Sequence, residues 1–393
     1  MGKYIIFKTL ALGLFAGSAI VAGSFALTVR KNKKTPPRSN PATTSYPDYA
    51  LSEHTFVSPT SGRTISFAEY GDPKSKNVVI YEHGNPGSRV LPVGPTVVKG
   101  KDIRVLAMDR PGIGFTSLPV DGKTVIETAV SDVAELLEYL EIPDKVILCG
   151  FSAGGPHVLA IMATIPDKIK AVYCLGPAGY FDEPITWTEV SPGSKSANWY
   201  ARYLPTFYYY DIIYKASAIT DCSNVIANMS AFSSKGDAIF LAEHPIEAQG
   251  WANVNYEAYR QGLEGYARSC VEIFGAEAKG KPWPILGDIA SLKGLEGQRV
   301  TIFHRESDQL VALSGSRDLV KRLKAASVDA ELIAPEGPVG GHFSALNDGF
   351  ELILKRECSS SISAGVTAAT TATASGKSAP EAAASAVAAA MTK

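Results

Sequence analysis

The sequence predicts an α/β protein: a mostly parallel sheet with helices on both faces and a helical cap inserted late in the chain. Three observations predict it. Short, continuous apolar runs recur at Asn77 to Tyr81 (NVVIY), Ile103 to Met108 (IRVLAM), Lys145 to Cys149 (KVILC) and Ala171 to Leu175 (AVYCL), as in strands buried on both faces. Segments of helical period fall between them, giving the β-α-β order of parallel strands joined by crossovers. From about residue 179 to 297 strand periodicity vanishes, to return at Arg299 to Phe303 (RVTIF) and Asp329 to Ile333 (DAELI). That insertion is too long for a loop. It is rich in tyrosine and tryptophan and leaves from a strand end, so it reads as a helical cap over the sheet.

Taken in order, Thr9 to Val29 is 21 residues without a charge, long enough to cross a bilayer as a helix. Lys3 and Lys8 precede it, and Arg30, Lys31, Lys33 and Lys34 follow. The expectation is a single-pass N-terminal anchor with the body on the cytoplasmic side. A cleavable signal peptide, with Ser24-Phe25-Ala26 as its site, would make the protein secreted instead. A mitochondrial presequence is a third option, because no acidic residue precedes Asp48. Myristoylation is disfavoured because Ile6 stands where Ser or Thr is wanted. The segments are then 1–34 (anchor or signal with basic flank), 35–47 (a Pro/Ser/Thr linker), 48–178 with 298–358 (the core), 179–297 (the cap) and 359–393 (a low-complexity Ala/Ser/Thr tail).

Within the core, Arg63 to Tyr70 alternates apolar and polar residues before a Gly71-Asp72-Pro73 turn, as a strand does. Thr124 to Leu140 carries Val130, Val133, Ala134, Leu137 and Leu140 on one helical stripe, with Thr124 or Thr128 as its start. A further helix is expected from about Gly155 to Ile165. Charge is balanced, 38 Lys+Arg against 39 Asp+Glu, which leaves no electrostatic footprint for nucleic acid. The five cysteines are dispersed, without a C-x-x-C pair, and read as packing residues. No H-E-x-x-H, P-loop or dinucleotide fingerprint is present, so neither a metal nor a cofactor is expected. Asp109 to Gly114 (DRPGIG) reads as a turn, and Asn228-Met229-Ser230 is a glycosylation sequon relevant only to a lumenal or secreted body.

The chemistry centres on VILCGFSAGGPHVLA, Val146 to Ala160. G-x-S-x-G alone is a weak signal. Here Gly150, Ser152 and Gly154 lie between a buried strand and a helix, the setting of a nucleophile elbow. Small flanking residues permit the tight turn, and the following helix directs N–H groups at developing negative charge. A serine hydroxyl needs a base. Of His54, His83, His157, His244, His304 and His342, the last fits best: it follows the final strand in a glycine-rich loop, EGPVGGHFSAL. A carboxylate must orient that imidazole. Asp308 in RVTIFHRESDQLV is the best candidate, with Glu306 and Asp182 as alternatives. The oxyanion donors expected are the backbone N–H groups of Ala153, after the serine, and Asn85, in the EHGNPGSR loop. His83 reads as structural.

YEHGNPGSR, MDRPGIGFTS, GFSAGGPH, the acid in HRESDQLV and the histidine in GGHFSAL together resemble the α/β-hydrolase fold superfamily over about Asp48 to Arg356. The resemblance implies that fold, a triad of Ser152, Asp308 and His342, and an oxyanion hole at Asn85 and Ala153. HGNP is also similar to haloalkane dehalogenases and epoxide hydrolases, whose nucleophile is an aspartate; Ser152 at that position argues against both chemistries. HGNPGSR with DRPGIG is similar to the proline iminopeptidase-like branch, which typically has Trp after the serine, where this chain has Ala153. The leading expectation is a serine hydrolase of small-molecule esters or thioesters, lipid-like ones included. The alternatives are a peptidase or acyltransferase on the same triad, and a non-catalytic ligand-binding protein of the same fold.

Overall fold

The computed structural model describes residues 23–31, 33, 52–178, 186–215, 234–275, 285–337 and 340–358. The C-terminal tail, Asp182, the Asn228 sequon and residues 9–22 of the apolar N-terminal segment lie outside the described residues. The strands are β1 (Ser52–Val57), β2 (Thr64–Gly71), β3 (Val78–Glu82), β4 (Arg104–Met108), β5 (Val146–Phe151), β6 (Ile169–Leu175), β7 (Arg299–Phe303) and β8 (Asp329–Ile333). The principal helices are α1 (Val125–Tyr139), α2 (Gly154–Thr164), α3 (Pro192–Tyr203), α4 (Pro205–Lys215), α5 (Lys235–Glu243), α6 (Pro245–Ala258), α7 (Glu264–Gly275), α8 (Leu313–Ala325) and α9 (Ser344–Glu357).

The strands form one sheet in the order β1-β2-β4-β3-β5-β6-β7-β8. β1 and β2 pair antiparallel, as do β2 and β4; every pairing from β4 to β8 is parallel. β3 and β5 are buried along their whole length. Successive side chains on a strand point to opposite faces, so one apolar run feeds two cores. Ile80, Leu148 and Val172 pack on one side with Leu136 of α1, Ile161 of α2 and Leu319 of α8. Val79, Cys149 and Tyr173 pack on the other with Phe350 and Ile353 of α9.

Thr124 is the N-cap of α1 and closes a capping box with Glu127, which fixes where the helix begins. β1 is an addition to the sequence reading. Its Glu53, His54, Thr55 and Val57 are exposed and only Phe56 is buried, so this edge strand carries no apolar face to betray it. Helices α3 to α7 lie between β6 and β7, and their side chains join the sheet's core through Phe240, Leu241, Trp251 and Val254.

Residues 23–31 are helical. Val29 from this helix packs with Ile113, Ile213, Ala258 and Leu263, and Phe25 lies 5.0 Å from the Tyr214 ring. The end of the apolar N-terminal segment therefore rests on the helical insertion. Among the described residues no helix is long and apolar enough to cross a membrane. Cys149, Cys174, Cys270 and Cys358 are buried, and none forms a disulfide among the described residues.

Candidate active site

Every expected site residue within the described chain sits at the carboxyl ends of the parallel strands, where open α/β sheets bind their ligands. Ser152 follows β5 directly and has φ +53°, the left-handed region that a non-glycine residue adopts only under constraint. Three backbone hydrogen bonds supply the constraint. Ser152 N donates to Leu175 O (2.9 Å), and Ser152 O accepts from Gly155 N (3.0 Å) and Ala178 N (2.9 Å). The turn also needs glycine on either side. A Cβ at Gly150 would lie 2.5 Å from Gly154 O, and one at Gly154 would lie 2.1 Å from Glu82 O. α2 starts immediately after, so the serine stands at a helix N-terminus.

His342 lies in the loop before α9, and its Nδ1 donates to Asp308 Oδ2 at 2.7 Å. Both are buried, as is Ser152. Burial alone would lower the His342 pKa; the charge and hydrogen bond of Asp308, with Asp237 behind it, raise it above the ordinary value. Burial alone would raise the Asp308 pKa. His342, and hydrogen bonds from His304 and His342, instead hold the carboxyl well below the usual range. Asp308 Oδ1 accepts from Leu310 N (2.8 Å) and Val311 N (3.0 Å), which fixes the carboxylate plane. With Nδ1 committed as donor, Nε2 is left as the basic nitrogen. Ser152 and His342 line the same cavity of about 270 Å³, together with Asn85. Glu306 is exposed and takes no part in this geometry.

The HGNP loop reaches the serine closely: a Cβ at Gly84 would lie 3.1 Å from Ser152 Cβ. Asn85 thus stands beside the elbow, where the N–H of Ala153 also lies. His83 is structural, with Nδ1 donating to Gly84 O (2.8 Å) and Nε2 accepting from Arg110 N (3.3 Å). His157, in α2, lies 3.0 Å from Ala153 O. Burial and the Arg110 charge hold both rings well below the ordinary histidine range, hence neutral.

Three contributors were given no role at the site by the sequence. Arg110 of DRPGIG donates through Nη2 to Gly84 O (2.7 Å) and to Asn85 Oδ1, pinning the HGNP loop. His304 places Nε2 3.4 Å from Asp308 Oδ2, while its Nδ1 bonds Ser316 Oγ at 2.7 Å. Asp237, in the first turn of α5, accepts from Phe343 N at 2.9 Å and so ties the histidine loop to the inserted helices. Only Arg110 had a local signal, its place in a motif next to the pocket loop. Among the described residues no cluster of His, Cys, Asp and Glu is arranged to hold a metal.

A histidine hydrogen-bonded to a buried carboxylate, a constrained serine and the Asn85 loop meet around one cavity. Known proteins share the fold that carries them. A 2-hydroxy-6-oxo-2,4-heptadienoate hydrolase of Pseudomonas putida is 32% identical over 111 residues, 28% of this chain and 40% of that enzyme. The chain matches between 35% and 42% of the length of such curated relatives. Among solved structures, the epoxide hydrolase CorEH superposes with a TM-score of 0.54 at 18% identity, covering 78% of this chain and 98% of that one. A bromoperoxidase from Bacillus anthracis gives 0.52 at 21%, covering 77% and 98%. These likenesses share the fold. The family profile described as alpha/beta hydrolase fold matches residues 77–338 of the 393, and the chain belongs to that family.

Proposed function

We propose that the protein is a serine hydrolase that cleaves carboxylic esters or thioesters through an acyl-Ser152 intermediate. The observation that carries this reading is the 2.7 Å His342–Asp308 hydrogen bond beside a serine held at positive φ in the same cavity. His342 Nε2 takes the Ser152 proton as Oγ bonds to the substrate's carbonyl carbon. The oxyanion is met by the backbone N–H groups of Asn85 and Ala153. Collapse breaks the ester C–O or thioester C–S bond, and the His342 proton passes to the departing alcohol or thiol. Water then attacks the acyl-enzyme, giving its proton to His342, and the acid leaves as the proton returns to Ser152.

Support comes from the family, whose members include hydrolases such as the Pseudomonas putida enzyme, and from the cavity, which mixes aromatic walls with polar groups as small-molecule sites do. A Ser152 nucleophile separates this chain from the aspartate chemistry expected of an epoxide hydrolase. The test is labelling of the purified full chain with a fluorophosphonate probe, together with hydrolysis of p-nitrophenyl esters. Both are expected to vanish in Ser152→Ala. Full esterase activity in that variant would sink the reading.

A further inference from the structure

The inserted helices turn one continuous aromatic face to solvent. Trp199, Tyr203, Leu204, Phe207, Tyr210 and Tyr214 are each between 38% and 55% exposed. Their spacing is helical: Trp199 and Tyr203 share one side of α3, and Phe207, Tyr210 and Tyr214 one side of α4. Ring contacts join the two helices. Trp199 lies 5.4 Å from Tyr203, and the half-buried Tyr200 lies 5.4 Å from both Trp199 and Phe207. The other side of α3 is buried at Ser194, Asn198 and Ala201, and Ala197 and Tyr208 line the cavity that holds Ser152. A contiguous exposed patch of this kind marks a surface that meets a partner.

The chain itself indicates which partner. Helix 23–31 rests against the α4 end of the face: Phe25 lies 5.0 Å from the Tyr214 ring, Val29 packs with Ile213, and Lys33 Nζ sits 5.2 Å over Tyr209. Its outer side adds Leu27, which is 69% exposed. Just before this helix in the sequence, Thr9 to Ala22 has no charged residue, and only Thr9 and Ser18 carry a polar side chain. Such a stretch has no polar side to leave in water, so laying it along the face would cover only half of it. Two copies joined face to face would cover the rings and leave this stretch in water. A lipid surface takes up both. Trp and Tyr, apolar rings with one polar edge, are also the residues enriched where acyl chains meet headgroups. Cations frame the face: Arg30, Lys31 and Arg268 are exposed, and Arg202 lies 5.8 Å over the Tyr203 ring. The acids beside them, Asp211 and Glu264, are half-buried, and Glu264 is paired with Arg268 at 2.7 Å.

We propose that the outer face of α3 and α4 beds into a lipid bilayer surface, beside the apolar N-terminal segment. Its rings lie ~5–10 Å deep, at the boundary of headgroups and acyl chains. This face lies on the membrane and does not cross it. Arg30, Lys31 and Arg268 meet the headgroups, anionic ones above all. Since α3 and α4 also wall the cavity, the active site opens within two helices of the lipid. The docking does not depend on which reaction Ser152 performs.

Tryptophan emission of the full chain, reconstituted with mixed phosphatidylcholine–phosphatidylserine vesicles, tests it. Lipids brominated near the top of the acyl chain quench an indole only where it touches them. The wild-type signal minus that of Trp199→Phe isolates Trp199. This difference is expected to be lost in brominated vesicles and kept in unbrominated ones. Tyr203→Asp with Phe207→Asp, at two exposed positions, puts charges on the face and is expected to restore the emission. If that pair fails to fold, Tyr210→Trp in the Trp199→Phe chain serves instead: its added emission is expected to show the same loss. Full Trp199 emission in brominated vesicles would overturn the proposal. That result means that the chain is held by its N-terminal segment alone, that a second copy or residues 9–22 shield the face, or that the chain is not held at all. Quenching that survives both aspartates would overturn it too, because Trp199 would then reach lipid without this face.

Discussion

Asp308→Asn tests whether the buried carboxylate acts by fixing a tautomer. Asp308 stands between two sets of donors. Its Oδ1 accepts from the backbone of Leu310 and Val311, and its Oδ2 from His342 at 2.7 Å. An asparagine there has one oxygen and one NH2. The two backbone donors precede α8 and cannot withdraw without unwinding the turn, so they take the oxygen. The NH2 then occupies the place of Oδ2 and faces His342 Nδ1. That nitrogen must become an acceptor, which moves the ring proton to Nε2, the atom that should receive the Ser152 proton. The base is thereby turned into a donor. Loss of a correctly oriented base of this kind lowers kcat by about 10⁴, some 5 kcal/mol of barrier. KM is expected to move by less than about threefold, since Asp308 is buried away from the substrate. The assay is steady-state hydrolysis of a p-nitrophenyl ester beside fluorophosphonate labelling, with circular dichroism to confirm the fold. A folded variant with kcat within tenfold of wild type would refute the tautomer argument.

Further outcomes follow from the same contacts. With neutral His342 as the proposed base and its folded pKa raised, kcat/KM is expected to rise with pH through a midpoint above ~6.5. Asp237→Asn, which keeps the acceptor for Phe343 N but removes a charge, lowers that midpoint; a pH–rate profile that does not move would show that Asp237 exerts no field at the ring. Gly154→Ala puts a Cβ 2.1 Å from Glu82 O, an overpacking against backbone worth at least about 2 kcal/mol, seen as a lower thermal midpoint with slowed labelling of Ser152. Burial lifts the Glu82 carboxyl to about 8 against Arg110's opposing charge. Its folded pKa lies above its unfolded one, so its contribution to stability is complete below about 4.5 and lost as pH rises through about 8. Glu82→Gln therefore gains stability relative to wild type between pH 5 and 8.5, and identical differences in denaturant midpoint at both pH values would contradict this.

The parts of the molecule that were legible in the sequence are those whose signal is local. β3 and β5 are buried on both faces, so all their residues but Glu82 at the end of β3 are apolar or glycine, and their neighbours in the chain suffice to identify them. The start of α1 was narrowed to Thr124 or Thr128 because its cap and its stripe are a few residues apart, and the capping box with Glu127 settles it on Thr124. Ser152, Asp308 and His342 each lie at a strand end or in a glycine-rich loop that marks the place. β1 was missed because an edge strand pairs on one side only and shows solvent a polar face. Asp237 was missed for a different reason. Its local sequence, SSKGDA, says only that a helix begins with a cap, and Ser234 indeed forms that capping box. Its second duty, accepting from Phe343 N, spans 106 residues, and no local pattern encodes a contact of that range. Arg110 is alike: its motif was visible, but the atoms it holds belong to a loop after another strand.

The strained serine is the feature hardest to explain without chemistry. A non-glycine residue at φ +53° costs about 1–3 kcal/mol, and a glycine at 152 would avoid it. The surroundings hold that conformation from three directions, by Leu175 O, Gly155 N and Ala178 N. They also give up side chains at Gly150 and Gly154, where glycine in ordered structure carries its own entropic cost. A turn that merely joined a strand to a helix would need none of this. The cost makes sense if the hydroxyl must stand clear of the strand ends, beside Asn85 and in one cavity with His342. The neutral rings of His83 and His157 extend the same logic beneath the site. Arg110 is the cation there, and two uncharged imidazoles let it hold Gly84 and Asn85 without a second positive charge near the proposed oxyanion site.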